Sequence, residues 1–176
     1  MVESMAASLD HLRASMLWGQ YEPMSLEAKT EQLRKFRGMF DSGQDFIYAA
    51  FDRDEQHVIG GSGLHPRVYE GGVEIGYWID ARHLRRGYAT EITAALTRAA
   101  FEHENVDRVE IHVDTRNVAS AGVPQKLGFR HVATLPRSVR SPGGVGDRMI
   151  WMMLREDFVP TVPIEVFDAG GRRIGA

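Results

Sequence analysis

The chain has 176 residues, is 43% hydrophobic and 26% charged, and carries a formal net charge of -3, which fits one globular domain around one core. The acidic balance argues against a nucleic-acid surface, which needs an excess of clustered Lys and Arg. There is no cysteine, so disulfides, thiolate metal sites and a Cys nucleophile are excluded, and no run reaches the ~18 apolar residues of a membrane helix.

Met1–Asp10 has no basic stretch followed by an apolar one, so a soluble cytoplasmic protein is expected. From Ser8 to Trp18, Leu9, Leu12 and Met16 fall on one side of a short helix, which Tyr21-Glu22-Pro23-Met24 breaks. Ser25 is a cap for the next helix, which carries Leu26, Thr30, Leu33, Arg37 and Phe40 at helical spacing and ends at Gly43. Its Glu27 sits in the first turn, where the helix dipole favours an anion. Strand patterns follow at Phe46–Phe51 and Val58–Leu64, joined by the turn Asp52-Arg53-Asp54-Glu55. After Glu70-Gly71-Gly72, the residues Val73, Ile75, Tyr77 and Ile79 alternate with Glu74, Gly76, Trp78 and Asp80, a period of two.

The period changes after Gly87. Ile92, Ala95, Leu96, Ala99 and Ala100 mark an amphipathic helix with a small-residue face suited to lying on a sheet. Val109, Ile111 and Val113 then alternate with Glu110, His112 and Asp114. A strand, a long helix and a strand make a crossover, so these two strands are predicted to be parallel. Asn117 caps a shorter helix that closes at Lys126-Leu127-Gly128-Phe129, with Pro124 inside it and without the N–H that would bond the Ser120 carbonyl. Two more strands are predicted at Phe129–Leu135 and Arg148–Leu154, the second exposed and rich in Met and Trp. The expected architecture is an α/β mixed sheet, mostly antiparallel, in one domain over residues 1–158. Residues 159–176 form a C-terminal extension with a small hairpin.

The sharpest local feature is His83-Leu84-Arg85-Arg86-Gly87-Tyr88-Ala89-Thr90, set between a strand and a long helix. A helix leaves its first amides unpaired and positive, so this turn can receive a phosphate. Gly87 permits close approach, Ala89 does not obstruct, and Arg85 and Arg86 add charge. No G-x-x-x-x-G-K-[ST] loop and no G-x-G-x-x-G after a strand is present.

Glu74-Ile75-Gly76-Tyr77-Trp78-Ile79, followed by Arg86-Gly87-Tyr88-Ala89-Thr90-Glu91, resembles the cofactor motif of the Gcn5-related N-acetyltransferases (GNAT), in particular their RimJ/RimL-like branch. Asn117-Val118-Ala119-Ser120, continuing through Val123 to Phe129, resembles that branch's second signature. The resemblance implies a sheet that splays between Val73–Asp80 and Val109–Asp114, with acetyl-CoA as cosubstrate and its pantetheine arm in the gap. It implies backbone contacts near Ile79 with the pantetheine, the Arg85–Thr90 turn on the pyrophosphate, and Asn117 and Ser120 beside the arm and its sulfur. It implies, too, that Ser120 could donate to the departing sulfur. The chain departs from the pattern at Leu84, Gly122 and Pro124. The family's first strand is expected to be absent or replaced, with the hairpin of residues 164–174 covering that sheet edge.

Glu74 is the candidate base, through water, and His112 is its rival, with Glu110 or Asp114 to orient it. Trp18, Tyr21 and Trp78 are candidates to line an acceptor pocket, shaped by the loops at Met16–Ser25 and Arg137–Asp147. No metal is expected. The partner is an amine-bearing substrate, a protein N-terminus or a small molecule, and a homodimer is expected from the resemblance and the exposed final strand. The alternative is a non-catalytic acyl-CoA-binding sensor, which would keep the phosphate turn and need no base.

Overall fold

The computed structural model describes residues 1–103, 105–141, 143–167 and 171–174. Three helices lead the chain: α1 (Val2–Ala7), α2 (Leu9–Ser15) and, after a 3-10 turn at Leu17–Tyr21, α3 (Leu26–Asp41). Ser25 caps α3 by accepting from the Ala28 amide at 3.1 Å. Strands β1 (Phe46–Phe51), β2 (Val58–Tyr69) and β3 (Gly72–Ile79) form an antiparallel meander, and α4 (Tyr88–His103) crosses to β4 (Arg108–Asp114). Helix α5 (Val118–Lys126), β5 (Arg130–Ser141) and β6 (Gly144–Leu154) complete the main sheet, in order β1-β2-β3-β4-β6-β5. Among the described residues only the β3–β4 pair is parallel, as the crossover predicts.

Each face of the sheet is covered, which is why β2 is buried on both sides along most of its length. One face packs on α4 and α5 through Val73, Ile75, Val109, Ile111, Val113, Ala100 and Phe101. The other carries α1 to α3 and a much smaller apolar cluster of Met5, Leu12 and Trp78.

Several expectations need correction. The buried side of α4 is Thr93, Ala94, Thr97 and Ala100, rotated from the expected face. Its threonines tolerate burial because their hydroxyls donate to the carbonyls four residues back, Thr93 to Ala89 and Thr97 to Thr93, each at 2.7 Å. In α3 the apolar spacing misleads, since Leu26 is 75% exposed while Lys29 is buried. The expected loop at Arg137–Asp147 is largely strand: β5 passes Pro136 through a bulge and pairs to Ser141 opposite Gly144. Strand β6 lies between β4 and β5 with Met153 buried and Trp151 half-buried, so it is not an exposed final strand. The hairpin of β7 (Val166–Phe167) and β8 (Arg173–Ile174) pairs with itself and not with the β1 edge of this chain, and the residues 168–170 at its turn lie outside the described residues.

Candidate active site

Parallel pairing between β3 and β4 is brief: Gly72 with Arg108, Val73 with Val109 and Glu74 with Glu110. Beyond Glu74 each strand keeps only its antiparallel neighbour, β3 staying on β2 as far as Ile79 and β4 on β6 as far as Asp114. The two strands therefore part, and a cavity of about 740 Å³ opens between them. Glu74, Asn117 and Ser120 all line it, together with Tyr77, Trp78 and His112. Ile79 and the Arg85–Thr90 turn are not among its lining residues; they continue the chain past the C-terminal end of β3.

Period-two alternation gives the gap two chemically different sides. Tyr77 packs on the α4 and α5 side, where its hydroxyl lies 2.9 Å from Ser120 Oγ and donates to the Ser120 carbonyl at 3.0 Å. That carbonyl is the one freed by Pro124, which has no N–H to offer it. Tyr77 thus replaces the missing helical donor. Burial pushes the Tyr77 phenol up to about 12, against the lowering pull of Ser120, so it stays a neutral donor. Asn117 Oδ1 accepts from the Ser120 amide at 3.1 Å and caps α5, which leaves the Ser120 side chain free of that duty.

On the opposite side, Glu74 is gripped by Arg67 through two bonds of 2.8 and 2.9 Å, and its Oε2 lies 3.3 Å from His112 Nδ1. His112 Nε2 shares a 2.5 Å hydrogen bond with Glu110, whose buried carboxylate also pairs with Arg108. Asp114, the other candidate to orient the ring, is taken by Arg116. Burial acts to raise the Glu74 carboxyl, but the Arg67 guanidinium and the nearby imidazole outweigh it and hold it below the ordinary carboxylate range. Burial pushes the His112 imidazole below its ordinary value, with the Glu74 charge acting against that trend. Glu74 and His112, alternatives on the sequence, are in contact. Sequence reasoning missed Tyr77 and Arg67. Tyr77 alternates with Val73, Ile75 and Ile79 as a core residue would, and only its position opposite a helix containing Pro124 could have marked it.

The turn after β3 contains two residues in the left-handed region, Arg85 at φ 60 and Gly87 at φ 90. Such alternations gather successive amides into a concavity that receives anions. The first helical hydrogen bond runs from Glu91 to the Gly87 carbonyl at 3.0 Å. Among the described residues nothing accepts from the amides of Tyr88, Ala89 or Thr90. A Cβ on Gly87 would meet no protein atom within 4 Å, so the space in front of it is open. Arg85 and Arg86 are exposed and meet no carboxylate among the described residues.

Trp18, Tyr21 and Trp78 all line the cavity, the two indoles edge to face at 6.4 Å and 70°. Gly61 makes room for Trp78, since a Cβ there would lie 2.5 Å from the indole nitrogen. Among the described residues, no cluster of three His, Asp or Glu side chains is arranged for a metal ion, and no helix is long and apolar enough to cross a membrane.

The acetyltransferase (GNAT) domain model matches residues 3–130. The chain is 23% identical over 136 residues to the probable N-acetyltransferase YjcK of Bacillus subtilis, covering 76% of this chain and 75% of that protein. It shares its fold with RimL, a ribosomal L7/L12 alpha-N-protein acetyltransferase solved with coenzyme A, at a TM-score of 0.79, 18% identity, and coverage of 87% and 85%. RimJ of Mycobacterium smegmatis, solved with a CoA disulfide, superposes at 0.77 with 20% identity and coverage of 88% and 76%. The splayed parallel pair, the open helix start beyond it and these likenesses converge: the chain belongs to the GNAT family and is an acyl-CoA-dependent N-acyltransferase.

Proposed function

We propose that the two sides of the splay divide the work of acetyl transfer, with a primary amine entering from the α1–α3 side and the thioester sulfur lying toward α5. The observation that carries this reading is the placement of a Glu74–His112 pair and a Ser120–Tyr77 pair on opposite sides of one gap. Acetyl-CoA supplies the activated acyl group. Backbone near Ile79, with Asn117 and Ser120, holds its pantetheine arm, and Arg85, Arg86, Gly87, Tyr88, Ala89 and Thr90 hold its pyrophosphate through open amides and two exposed guanidiniums.

The amine must lose a proton as its nitrogen bonds the carbonyl carbon, and the sulfur must gain one as the C–S bond breaks. In the neutral ring the N–H sits on Nε2, facing Glu110, so the lone pair of Nδ1 faces the Glu74 carboxylate at 3.3 Å. Two acceptors then confront each other, and a proton delivered between them turns repulsion into a hydrogen bond. Glu74 and His112 act as one base. Ser120 donates to the departing sulfur, and as its Oγ proton turns away the Tyr77 proton swings from the Ser120 carbonyl toward Oγ, 2.9 Å away.

The cytoplasm, where acetyl-CoA is available, is the location this reading requires. A homodimer belongs to it as well, supported by Val132, Leu135 and Val145, which are exposed along the β5–β6 hairpin. Calorimetry with acetyl-CoA, followed by CoA release across a panel of amines, tests the function. Binding with amine-dependent release supports it; binding without release for any amine marks the sensor alternative.

A further inference from the structure

The nature of the acceptor follows from the charges around the cavity, granted the direction of amine entry proposed above. Every charged side chain that lines it has an opposite partner. Glu22 pairs with Lys29 at 2.5 Å, Glu74 with Arg67, and Asp114 with Arg116. Arg37 pairs with Asp41, His65 with Asp45, and His112 with Glu110. A polyamine or an aminoglycoside carries further ammonium groups that need carboxylates of their own, and among the described residues the wall has none to spare. An amino acid carries a carboxylate that needs a cation, and among the described residues every cationic side chain of the wall is already paired. Burying a charge without a partner is costly, so each of these ligands would be penalised.

The bulkiest uncharged side chains of the wall are aromatic, set among aliphatic and polar ones such as Met16, Leu33, Ile47, Gln32 and Ser62. Trp18 and Trp78 stand edge to face, and Tyr21, Phe36 and Tyr48 line the same cavity. Trp18 is 37% exposed and Tyr21 is 70% exposed, so ring surface is on offer at the mouth. Aromatic faces reward flat apolar groups by offset or edge-on stacking.

We infer that the acceptor is a monoamine whose remaining surface is uncharged and apolar, with an aromatic ring to lie against Trp18 and Trp78. One N–H bond of that amine is replaced by an N–C bond to the acetyl carbonyl. The C–S bond of acetyl-CoA breaks, the proton passes through the Glu74–His112 pair, and free CoA thiol leaves with an N-acetyl amide.

The test compares 2-phenylethylamine, phenylalanine, spermidine and a short serine-starting peptide as acceptors for the full chain, with acetyl-CoA affinity measured separately by calorimetry. The expected result is a kcat/KM for 2-phenylethylamine at least about tenfold above the others, which corresponds to one well-stacked ring. Trp18→Ala should lower it about tenfold and leave the acetyl-CoA Kd unchanged. Equal or better use of spermidine, phenylalanine or the peptide overturns the inference, as does a Trp18→Ala enzyme with unaltered kinetics. If the amines are all refused while acetyl-CoA binds, the acceptor class is wrong. Failure of acetyl-CoA to bind at all rejects the functional reading beneath it.

Discussion

Glu74 sits at the last paired position before the strands separate, and that location gives it both reach and restraint. Arg67 fixes its carboxylate by two bonds, while the backbone opening just beyond leaves one edge facing the cavity. Glu74→Gln keeps the shape and removes the charge. Turnover should fall by roughly 10²–10³, the range of a lost general base, with acetyl-CoA affinity unchanged. The same variant reports on the neighbour. The Glu74 charge acts to raise the His112 pKa against burial, so its removal should let the imidazole titrate at lower pH than in the parent protein. An NMR titration of the ring proton on Cε1 reads this directly, and an unmoved or raised midpoint would show the two groups uncoupled. Because His112 already lies below its ordinary value of about 6.5, the base pair is ready above that pH and loses function as pH falls through the lowered value.

Elements position these residues through devices that a sequence reveals unevenly. The turn after β3 was legible as geometry, because a glycine after two arginines and before a 3.6-residue period marks a helix start, and Gly87 stands there at φ 90 with amides beyond it that are unpaired among the described residues. Gly87→Val should weaken CoA binding by about tenfold or more, both by intruding on open space and by forcing a β-branched residue to φ 90. Calorimetry decides it, and undiminished affinity would remove the turn from the cofactor site. Helix α5 was half legible. Pro124 announced a lost hydrogen bond, but its replacement by Tyr77 comes from a strand 43 positions away from Ser120 and depends on tertiary contact. Tyr77→Phe should cost about 1–2 kcal/mol in unfolding free energy by orphaning the Ser120 carbonyl, and should lower kcat by leaving Ser120 Oγ undirected. In a Pro124→Ala background a backbone N–H returns, so the same substitution should cost measurably less stability. A double-mutant cycle with urea denaturation tests that coupling, and strict additivity would argue against it. The faces of α3 and α4 were misread for a related reason. Threonine and lysine look solvent-facing until a carbonyl four residues back in the same helix, for Thr93 and Thr97, or a carboxylate outside the helix, for Lys29, is supplied.

Across the whole molecule the two sides of the sheet are held by different forces. The α4–α5 side has the large apolar core, while the α1–α3 side has a small cluster reinforced by polar links. Lys29, 3% exposed in its side chain, donates to Glu22 at 2.5 Å, to Gln32 at 2.8 Å and to the Met5 sulfur at 3.1 Å. Arg13 adds a bond to the Glu22 carbonyl. These contacts join α1, α2, the segment after the 3-10 turn and α3, so they fix the helices over the side of the cavity where the amine is proposed to enter. Removing one partner of a buried pair strands the other charge, at a cost of about 3–5 kcal/mol, whereas neutralising both is far milder. Lys29→Met should therefore lower Tm by roughly 10 °C for a chain of this size. Lys29→Met combined with Glu22→Gln should recover more than half of the loss, since the glutamine can still accept from the Met24 amide. The functional signature should be equally one-sided. Acceptor kcat/KM should drop in the single variant while acetyl-CoA affinity holds, because the proposed cofactor contacts lie on the other side of the sheet and at the Gly87 turn. Parallel loss of both would mean that the two sides share one support, and a Tm equal to that of the parent would mean that the buried pair contributes nothing to holding these helices.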